Sequence, residues 1–164
     1  MADQGDIVVV CTANVCRSPM AAGLLRHALA AEDEPLRSLS VISAGVSACD
    51  GARVTEHSVT ALKRVGIDIS GHVSQPLTHE MLDRARLILC MTDSHRDVIQ
   101  LHCEDPDKPI FLFREFTEGP GDKEIPDPYG GPIALYEASR DEMVAAIPSL
   151  IAYLKTAFGD SGKK

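Results

Sequence analysis

Short apolar runs rich in β-branched residues alternate along the chain with segments whose apolar residues recur at helical spacing. The runs predict four buried strands, over residues 7–11, 39–43, 87–91 and 109–113. The helical spacing predicts helices over residues 19–31, 55–65, 78–86, 94–101 and 133–158. Strands that alternate with helices in this way predict an α/β fold, a four-stranded parallel, doubly wound sheet with helices on both faces.

Two residues mark details of these helices. Ser18 is predicted to cap the N-terminus of the first helix, with Pro19 in its first turn. Pro148 lies inside the last helical segment and predicts a kink or a split there.

Composition narrows the class of protein. With 164 residues and 45% hydrophobic residues, the chain is expected to form a single domain over 1–164. A net charge of −8 argues against nucleic acid or an anionic membrane as a partner. The acidic N-terminus and the absence of a long apolar run predict a cytoplasmic protein. We also expect a monomer.

Cysteine and histidine usage indicates no metal site and no cofactor. The five cysteines include no closely spaced CxxC pair, and the six histidines are scattered. We therefore expect free thiols. Cys90, within an apolar run, is expected to be a buried small hydrophobic residue, and Cys49 and Cys103 to be loop thiols of no consequence.

The stretch "CTANVCR" joins the first strand to the first helix. Because ligands of such sheets bind beyond the carboxyl ends of the strands, Cys11 is expected to face a ligand. A helix N-terminus and Arg17 would favour an anion there and stabilise the nucleophilic thiolate of Cys11. The loop is thus predicted to bind phosphate through residues Thr12, Ala13, Asn14, Val15, Cys16, Arg17 and Ser18.

Individual residues of this loop suit that task. Asn14 tolerates the left-handed backbone of a tight curve, and Arg17 is able to clamp two phosphate oxygens. The Ser18 hydroxyl is placed to donate to the Cys11 sulfur. Cys16 is either a packing residue or a redox partner, because a neighbouring thiol traps an oxidised cysteine as a disulfide.

Phosphoryl transfer to a thiolate also needs an acid for the departing oxygen. Asp105 precedes the fourth predicted strand and belongs to the amino edge of the sheet, whereas Asp127 follows that strand and belongs to the edge of Cys11. Asp127 is therefore the predicted acid, and the adjacent Tyr129 would wall an aromatic substrate.

Paired motifs, "VCTANVCRSPMA" and "PDPYGG", resemble the low-molecular-weight protein tyrosine phosphatases, and the likeness extends over nearly the whole chain. The resemblance implies metal-free hydrolysis of phosphorylated protein substrates. It makes Cys11 the nucleophile, Arg17 the phosphate clamp and Asp127 the general acid and later base. The supporting hydrogen-bond network of the family maps onto Asn14, Ser18, Ser43 and His72.

Two positions depart from the family. Ala13 stands where glycine is usual, so we expect a modest adjustment of the loop. Around "VSACDGARV" we find no second aromatic residue for the rim. Val15 and Tyr129 are left as the predicted walls of the substrate site.

Three alternatives to a phosphotyrosine phosphatase remain. Segments such as "SAGV", "SQPLT", "MTDSH" and "RDEM" look like the bacterial protein-arginine phosphatase branch. That branch uses a threonine for selectivity where this chain has Val15, so phosphotyrosine is the expected substrate. An arsenate reductase would need a closely spaced resolving pair, which Cys90 and Cys103 are not. A phosphocysteine carrier would leave Arg17 and Asp127 without a purpose.

Overall fold

The computed structural model describes residues 5–159, and residues 1–4 and 160–164 of the predicted domain lie outside the described residues. Within the described part, the strands are β1 (Asp6–Cys11), β2 (Ser40–Gly45), β3 (Ala85–Cys90) and β4 (Ile110–Leu112). The α-helices are α1 (Arg17–Ala30), α2 (Glu56–Lys63), α3 (His79–Arg84), α4 (Asp93–His102) and α5 (Ile133–Leu154).

The four strands form one parallel sheet in the order β2-β1-β3-β4, which confirms the predicted fold class. β1 lies inside the sheet, between β2 and β3. The chain leaves β1 to form β2 on one side of β1, and it leaves β2 to form β3 on the other side of β1. A crevice opens at such a topological switch point, beyond the carboxyl ends of the strands. Cys11, the last residue of β1, lies at that point.

Alternate residues of β1 enter two separate cores. Ile7, Val9 and Cys11 belong to the core that includes buried residues of α1, α2 and α5. Val8 and Val10 belong to the core on the opposite face, which includes buried residues of α3 and α4. Because both faces of the sheet are covered, the strands are apolar at nearly every position.

The first helix begins two residues earlier than predicted, and Ser18 is not its cap. α1 starts at Arg17 after Cys16, and no side chain caps its N-terminus. The Ser18 hydroxyl is instead engaged by Asn14 and Cys11 of the preceding loop. Threonine side chains cap the next three helices, through Thr55, Thr78 and Thr92.

Pro148 does not split the last helix, which runs without interruption from Ile133 to Leu154 and then passes into a π-helical turn, Lys155–Gly159. Pro148 lies on the exposed side of α5, whereas Met143, Leu150 and Leu154 are fully buried on the other side. The hydrogen bond that proline forgoes is therefore lost where water can replace it, and packing of the buried side holds the helix together.

Among the residues described, no helix combines the length and the hydropathy needed to cross a membrane.

Candidate active site

A cavity of about 310 Å³ opens at the carboxyl edge of the sheet. The loop after β1 contributes Cys11 and Arg17 to its lining, and the loop after β2 contributes Cys49. Asp127 and Tyr129, in the segment between β4 and α5, complete the opposite wall. The structure thus brings residues that are 116 positions apart in the chain to one site.

The thiol of Cys11 is buried, with 3% of the residue exposed. Its Sγ accepts a hydrogen bond from the backbone N–H of Asn14 at 3.3 Å and lies 3.0 Å from Ser18 Oγ. Because Ser18 Oγ accepts from the amide of Asn14, its own proton is free to donate to the sulfur. Two donors aimed at one sulfur stabilise a thiolate.

Asn14 organises the loop around this sulfur. Its backbone has φ 61°, the left-handed conformation expected of it. Its Nδ2 donates to Ser18 at 2.7 Å and to Ser43 at 3.0 Å, and its Oδ1 accepts from the N–H of Gln75 at 2.9 Å. His72 Nε2 donates to the Asn14 carbonyl at 2.9 Å, and burial lowers the pKa of this imidazole. The loop is therefore fixed in shape by its own contacts.

Arg17 is held flat at one side of the cavity, with 5% of its side chain exposed. Nη1 donates to the Ile125 carbonyl at 3.0 Å, and Nη2 donates to Thr12 Oγ1 at 3.4 Å. The buried Nε has no hydrogen-bond partner among the described residues. Guanidinium N–H groups bind two oxygens of one phosphate in parallel, so the free Nε–H suits Arg17 to such a clamp.

Asp127 and Tyr129 form the solvent-facing wall. Asp127 Oδ2 lies 3.6 Å from Arg17 Nη2, its side chain is 51% exposed, and its Oδ1 accepts from the N–H of Tyr129. The competing carboxylate, Asp105, lies in the loop before β4, at the amino edge of the sheet, and accepts from the N–H of Asp107. Asp127 shares the edge of Cys11, and Asp105 does not.

Cys16 is a second buried thiol in the same loop. Its Sγ lies 3.5 Å from Tyr136 Oη and 3.6 Å from Thr55 Oγ1. Burial raises the pKa of Cys16, which keeps it in the protonated form. Cys16 packs under the loop and also borders the cavity, so the pairing with Cys11 under oxidation stays a prediction.

The remaining cysteines differ from each other. Cys90 is fully buried in the core beside α3 and α4, as predicted, and burial raises its pKa to about 12. Cys49 is an exposed loop thiol, as predicted, and it also borders the cavity. Together with Ser47 and Ala52 it leaves small side chains on the rim that lacks an aromatic residue.

The sequence did not predict three contacts of the site. The N–H of Gln75 donates to Asn14, and the Ile125 carbonyl accepts from Arg17. His95 Nε2 lies 2.9 Å from Thr12 Oγ1. The contacts of Gln75 and Ile125 use backbone atoms, so the type of side chain at these positions does not predict them. His95 follows the carboxyl end of β3, so the edge rule that selected Asp127 also points to it. Within residues 5–159, no three His, Cys, Asp or Glu side chains form a group able to hold a metal ion.

Comparison with known proteins places this geometry in a family. The family model described as low molecular weight phosphotyrosine protein phosphatase matches residues 6–158. The chain is 40% identical over 150 residues to a protein-arginine-phosphatase of Geobacillus stearothermophilus, covering 92% of this chain and 96% of the relative. It is 37% identical over 131 residues to the probable low molecular weight protein-tyrosine-phosphatase EpsP of Ralstonia solanacearum, covering 80% and 83%.

A solved structure, the YwlE arginine phosphatase from Geobacillus stearothermophilus, superposes with a TM-score of 0.82 at 38% identity, over 96% of this chain and 97% of the other. The likeness therefore covers the sheet, the helices and the loop that carries the thiol. The chain belongs to the low-molecular-weight phosphotyrosine protein phosphatase family and is a cysteine-dependent protein phosphatase.

Proposed function

We propose that this phosphatase hydrolyses phosphotyrosine in proteins through a cysteinyl-phosphate intermediate. The observation that carries the substrate assignment is the aliphatic side chain of Val15, which borders the cavity between the Cys11 loop and the exposed Tyr129. A flat phenyl ring packs against such walls without leaving a polar group unpaired.

The first step transfers the phosphoryl group to the enzyme. Cys11 Sγ attacks phosphorus, while Arg17 and the loop N–H groups hold the equatorial oxygens. The bond from phosphorus to the tyrosyl oxygen breaks, and protonated Asp127 donates its proton to that oxygen. The position of Asp127 beside Arg17, above the buried thiol, supports this role.

The second step releases phosphate. Asp127, now ionised, takes a proton from a water molecule, whose oxygen attacks the cysteinyl phosphate. The phosphorus–sulfur bond breaks, and the thiolate of Cys11 returns to its two donors, Asn14 N–H and Ser18 Oγ. Neither step calls for a metal ion or an organic cofactor.

A protein-arginine phosphatase is the second candidate. It is favoured by the 40% identity to the Geobacillus stearothermophilus enzyme, which bears that name. The walls of the cavity argue against it. Val15, Ala13 and Ala52 offer no side-chain acceptor to a guanidinium, so among the residues that line the cavity the side-chain oxygens of Thr12, Ser47, Asp127 and Tyr129 are left to accept from it.

Two other reactions of a loop cysteine have less support. An arsenate reductase needs a closely spaced resolving pair, but Cys90 and Cys103 are far apart in sequence, and Cys90 is buried in the core on the other face of the sheet from Cys11. A phosphocysteine carrier has no use for an acid beside Arg17. We further propose that the enzyme acts as a cytoplasmic monomer. Its net charge of −8 supports the absence of nucleic acid and of an anionic membrane among its partners.

The test compares kcat/KM for matched peptides that carry phosphotyrosine or phosphoarginine. We expect the wild type to prefer phosphotyrosine and Val15→Thr to shift the ratio toward phosphoarginine by about 1 to 3 kcal/mol, the scale of pairing a buried polar group. Threonine has nearly the shape of valine, so the change is chemical rather than steric.

Cys11→Ser is the control for the site itself and should abolish turnover of both peptides, since a hydroxyl is a far weaker nucleophile near neutral pH. A wild type that already prefers phosphoarginine would refute the substrate assignment and leave the phosphatase mechanism standing.

A further inference from the structure

His95 is buried beside the phosphate loop although it belongs to another element, the first turn of α4. Its Nδ1 accepts the backbone N–H of Thr92 at 3.2 Å, which places the ring hydrogen on Nε2. Nε2 lies 2.9 Å from Thr12 Oγ1. The imidazole is therefore a fixed donor to the hydroxyl of Thr12.

The hydroxyl of Thr12 receives a second hydrogen bond, from Arg17 Nη2 at 3.4 Å. A hydroxyl has two acceptor lone pairs and one donor, so His95 and Arg17 use both of its acceptor sites. Its proton must then point away from them, and Thr12 borders the cavity. His95 and Arg17 together therefore fix the orientation of the Thr12 hydroxyl in the phosphate loop.

We propose that His95 is a positioning residue of the reaction, holding the Thr12 hydroxyl so that it fixes the Nη2 end of Arg17 beside Asp127. The inference rests on the proposed phosphatase mechanism. The Nη1 end of Arg17 is anchored by the Ile125 carbonyl. The Nη2 end is held by Thr12 at 3.4 Å and lies 3.6 Å from the half-exposed carboxylate of Asp127.

The role of His95 is that of a neutral donor. Burial, and next the charge of Arg17, lower its pKa to about 4 against the opposing effect of Asp127. The groups that face it are Thr12, Thr92, Arg17 and Asp127, and of these Asp127 alone favours a second ring proton. Near neutral pH the imidazole is therefore neutral, and its one ring proton lies in the bond to Thr12.

Two substitutions separate the bond to Thr12 from the cap of α4. In His95→Asn the side-chain oxygen takes the place of Nδ1 and keeps the Thr92 contact, but no atom reaches Thr12. In His95→Gln the amide nitrogen takes the place of Nε2 and restores a donor to Thr12. We expect His95→Asn to lower kcat on a phosphotyrosine peptide by about 10-fold to 100-fold. The upper value is the cost of misplacing a catalytic group by about an ångström.

KM should rise less than kcat falls in His95→Asn, because the misplaced Arg17 is felt most where charge develops in the transition state. His95→Gln should recover most of the activity. His102→Asn, an exposed histidine of the same helix, is the matched control and should behave as wild type. Thermal unfolding of each variant reports whether it folds.

Thr12→Val supplies the decisive measurement, since it removes the hydroxyl that His95 acts through. If His95 works through Thr12, adding His95→Asn to Thr12→Val lowers kcat no further. Additive losses in the double variant would overturn the inference, as would wild-type kcat in His95→Asn. Failure of the proposed function is distinct, because the wild-type protein would then release no phosphate from either phosphopeptide.

The two limbs of the kcat/KM pH profile should keep their midpoints in His95→Asn, and a lost limb would show instead that His95 transfers a proton.

Discussion

At the scale of single residues, Asp127 and Asp105 carry the same group at opposite edges of the sheet. Asp127→Ala should slow hydrolysis of a phosphotyrosine peptide by roughly 10² to 10⁴, the usual range for a positioned acid. A substrate with an acidic phenol should suffer less, because its leaving oxygen needs little protonation. Asp105→Ala is the matched control and should keep full activity. A larger loss in Asp105→Ala would reject the assignment of the acid by sheet edge.

Oxidation separates the roles of the cysteines. Mild peroxide should convert the Cys11 thiolate to a sulfenic acid. The Cys16 sulfur then attacks the Cys11 sulfur, the sulfenic hydroxyl leaves as water, and the resulting disulfide is reversed by a thiol reductant. In Cys16→Ser, the activity recovered after peroxide and reductant should fall. Cys49→Ser is the control, because Cys49 is the other thiol bordering the cavity and is exposed. Unchanged recovery in Cys16→Ser, or a loss in Cys49→Ser alone, would contradict the pairing.

The buried imidazole of His95 links stability to pH. Its pKa is about 4 in the folded chain, whereas an unfolded histidine titrates near ~6.5. Below the unfolded pKa the unfolded chain binds a proton that the folded chain refuses, so the free energy of unfolding falls as pH drops from about 6.5 toward 4. The slope approaches ~1.4 kcal/mol per pH unit from this group.

Urea unfolding at pH 7, 6 and 5 measures this effect. His95→Gln should unfold with a shallower dependence on pH, while the contribution of His72, whose pKa is also lowered, remains in both proteins. Equal pH slopes for the wild type and the variant would show that His95 is not held neutral.

At the scale of elements, the end of β2 is packed against the phosphate loop. A Cβ on Gly45 would lie 2.4 Å from the Thr12 carbonyl oxygen and 3.0 Å from the Asn14 nitrogen. Both are backbone atoms that are unable to swing aside. Gly45→Ala should lower the free energy of unfolding by about 1 to 3 kcal/mol, as overpacking does, and reduce kcat/KM by displacing the loop.

Gly71→Ala is the matched control for Gly45→Ala. A Cβ on Gly71 would meet nothing within 4 Å. Denaturant unfolding and kcat/KM should both stay at the wild-type values in this variant. A Gly45→Ala protein as stable and as active as Gly71→Ala would mean that β2 does not hold the loop in place.

Local patterns predicted elements well where the pattern itself decides the structure. Apolar runs located all four strands, because a parallel sheet covered on both faces leaves few polar positions. Ser18 was misread because a serine before a Pro-containing turn is a common cap, and only the tertiary contact with Asn14 and Cys11 diverts its hydroxyl. The predicted split at Pro148 does not occur, because packing of the buried side of α5 holds the helix together across the proline.

The candidate site was predictable to the extent that it follows from the order of strands. Cys11 and Asp127 were selected because both follow a strand, and the carboxyl ends of parallel strands share one edge. His95 satisfies the same rule, but its role depends on the contact with Thr12, which only the folded chain shows. Gln75 and Ile125 act through backbone atoms, which every residue possesses, so only the folded chain identifies them.

At the scale of the whole molecule, the site is assembled from three loops that the sheet order brings to one edge. The loops after β1, β2 and β4 supply the thiol, the small-residue rim and the carboxylate. The chemistry of the site is therefore open to change by substitution in loops while both cores stay intact.

The side chain and carbonyl of Asn14 are already fully engaged in the structure, through Ser18, Ser43, Gln75 and His72. A loop that holds its curve without help gives up little freedom when an anion arrives. The same rigidity applies to the anion that stays behind after hydrolysis, since inorganic phosphate offers the loop the same oxygens as the substrate. We therefore expect inorganic phosphate to inhibit the enzyme, because the product occupies the loop that the next substrate needs.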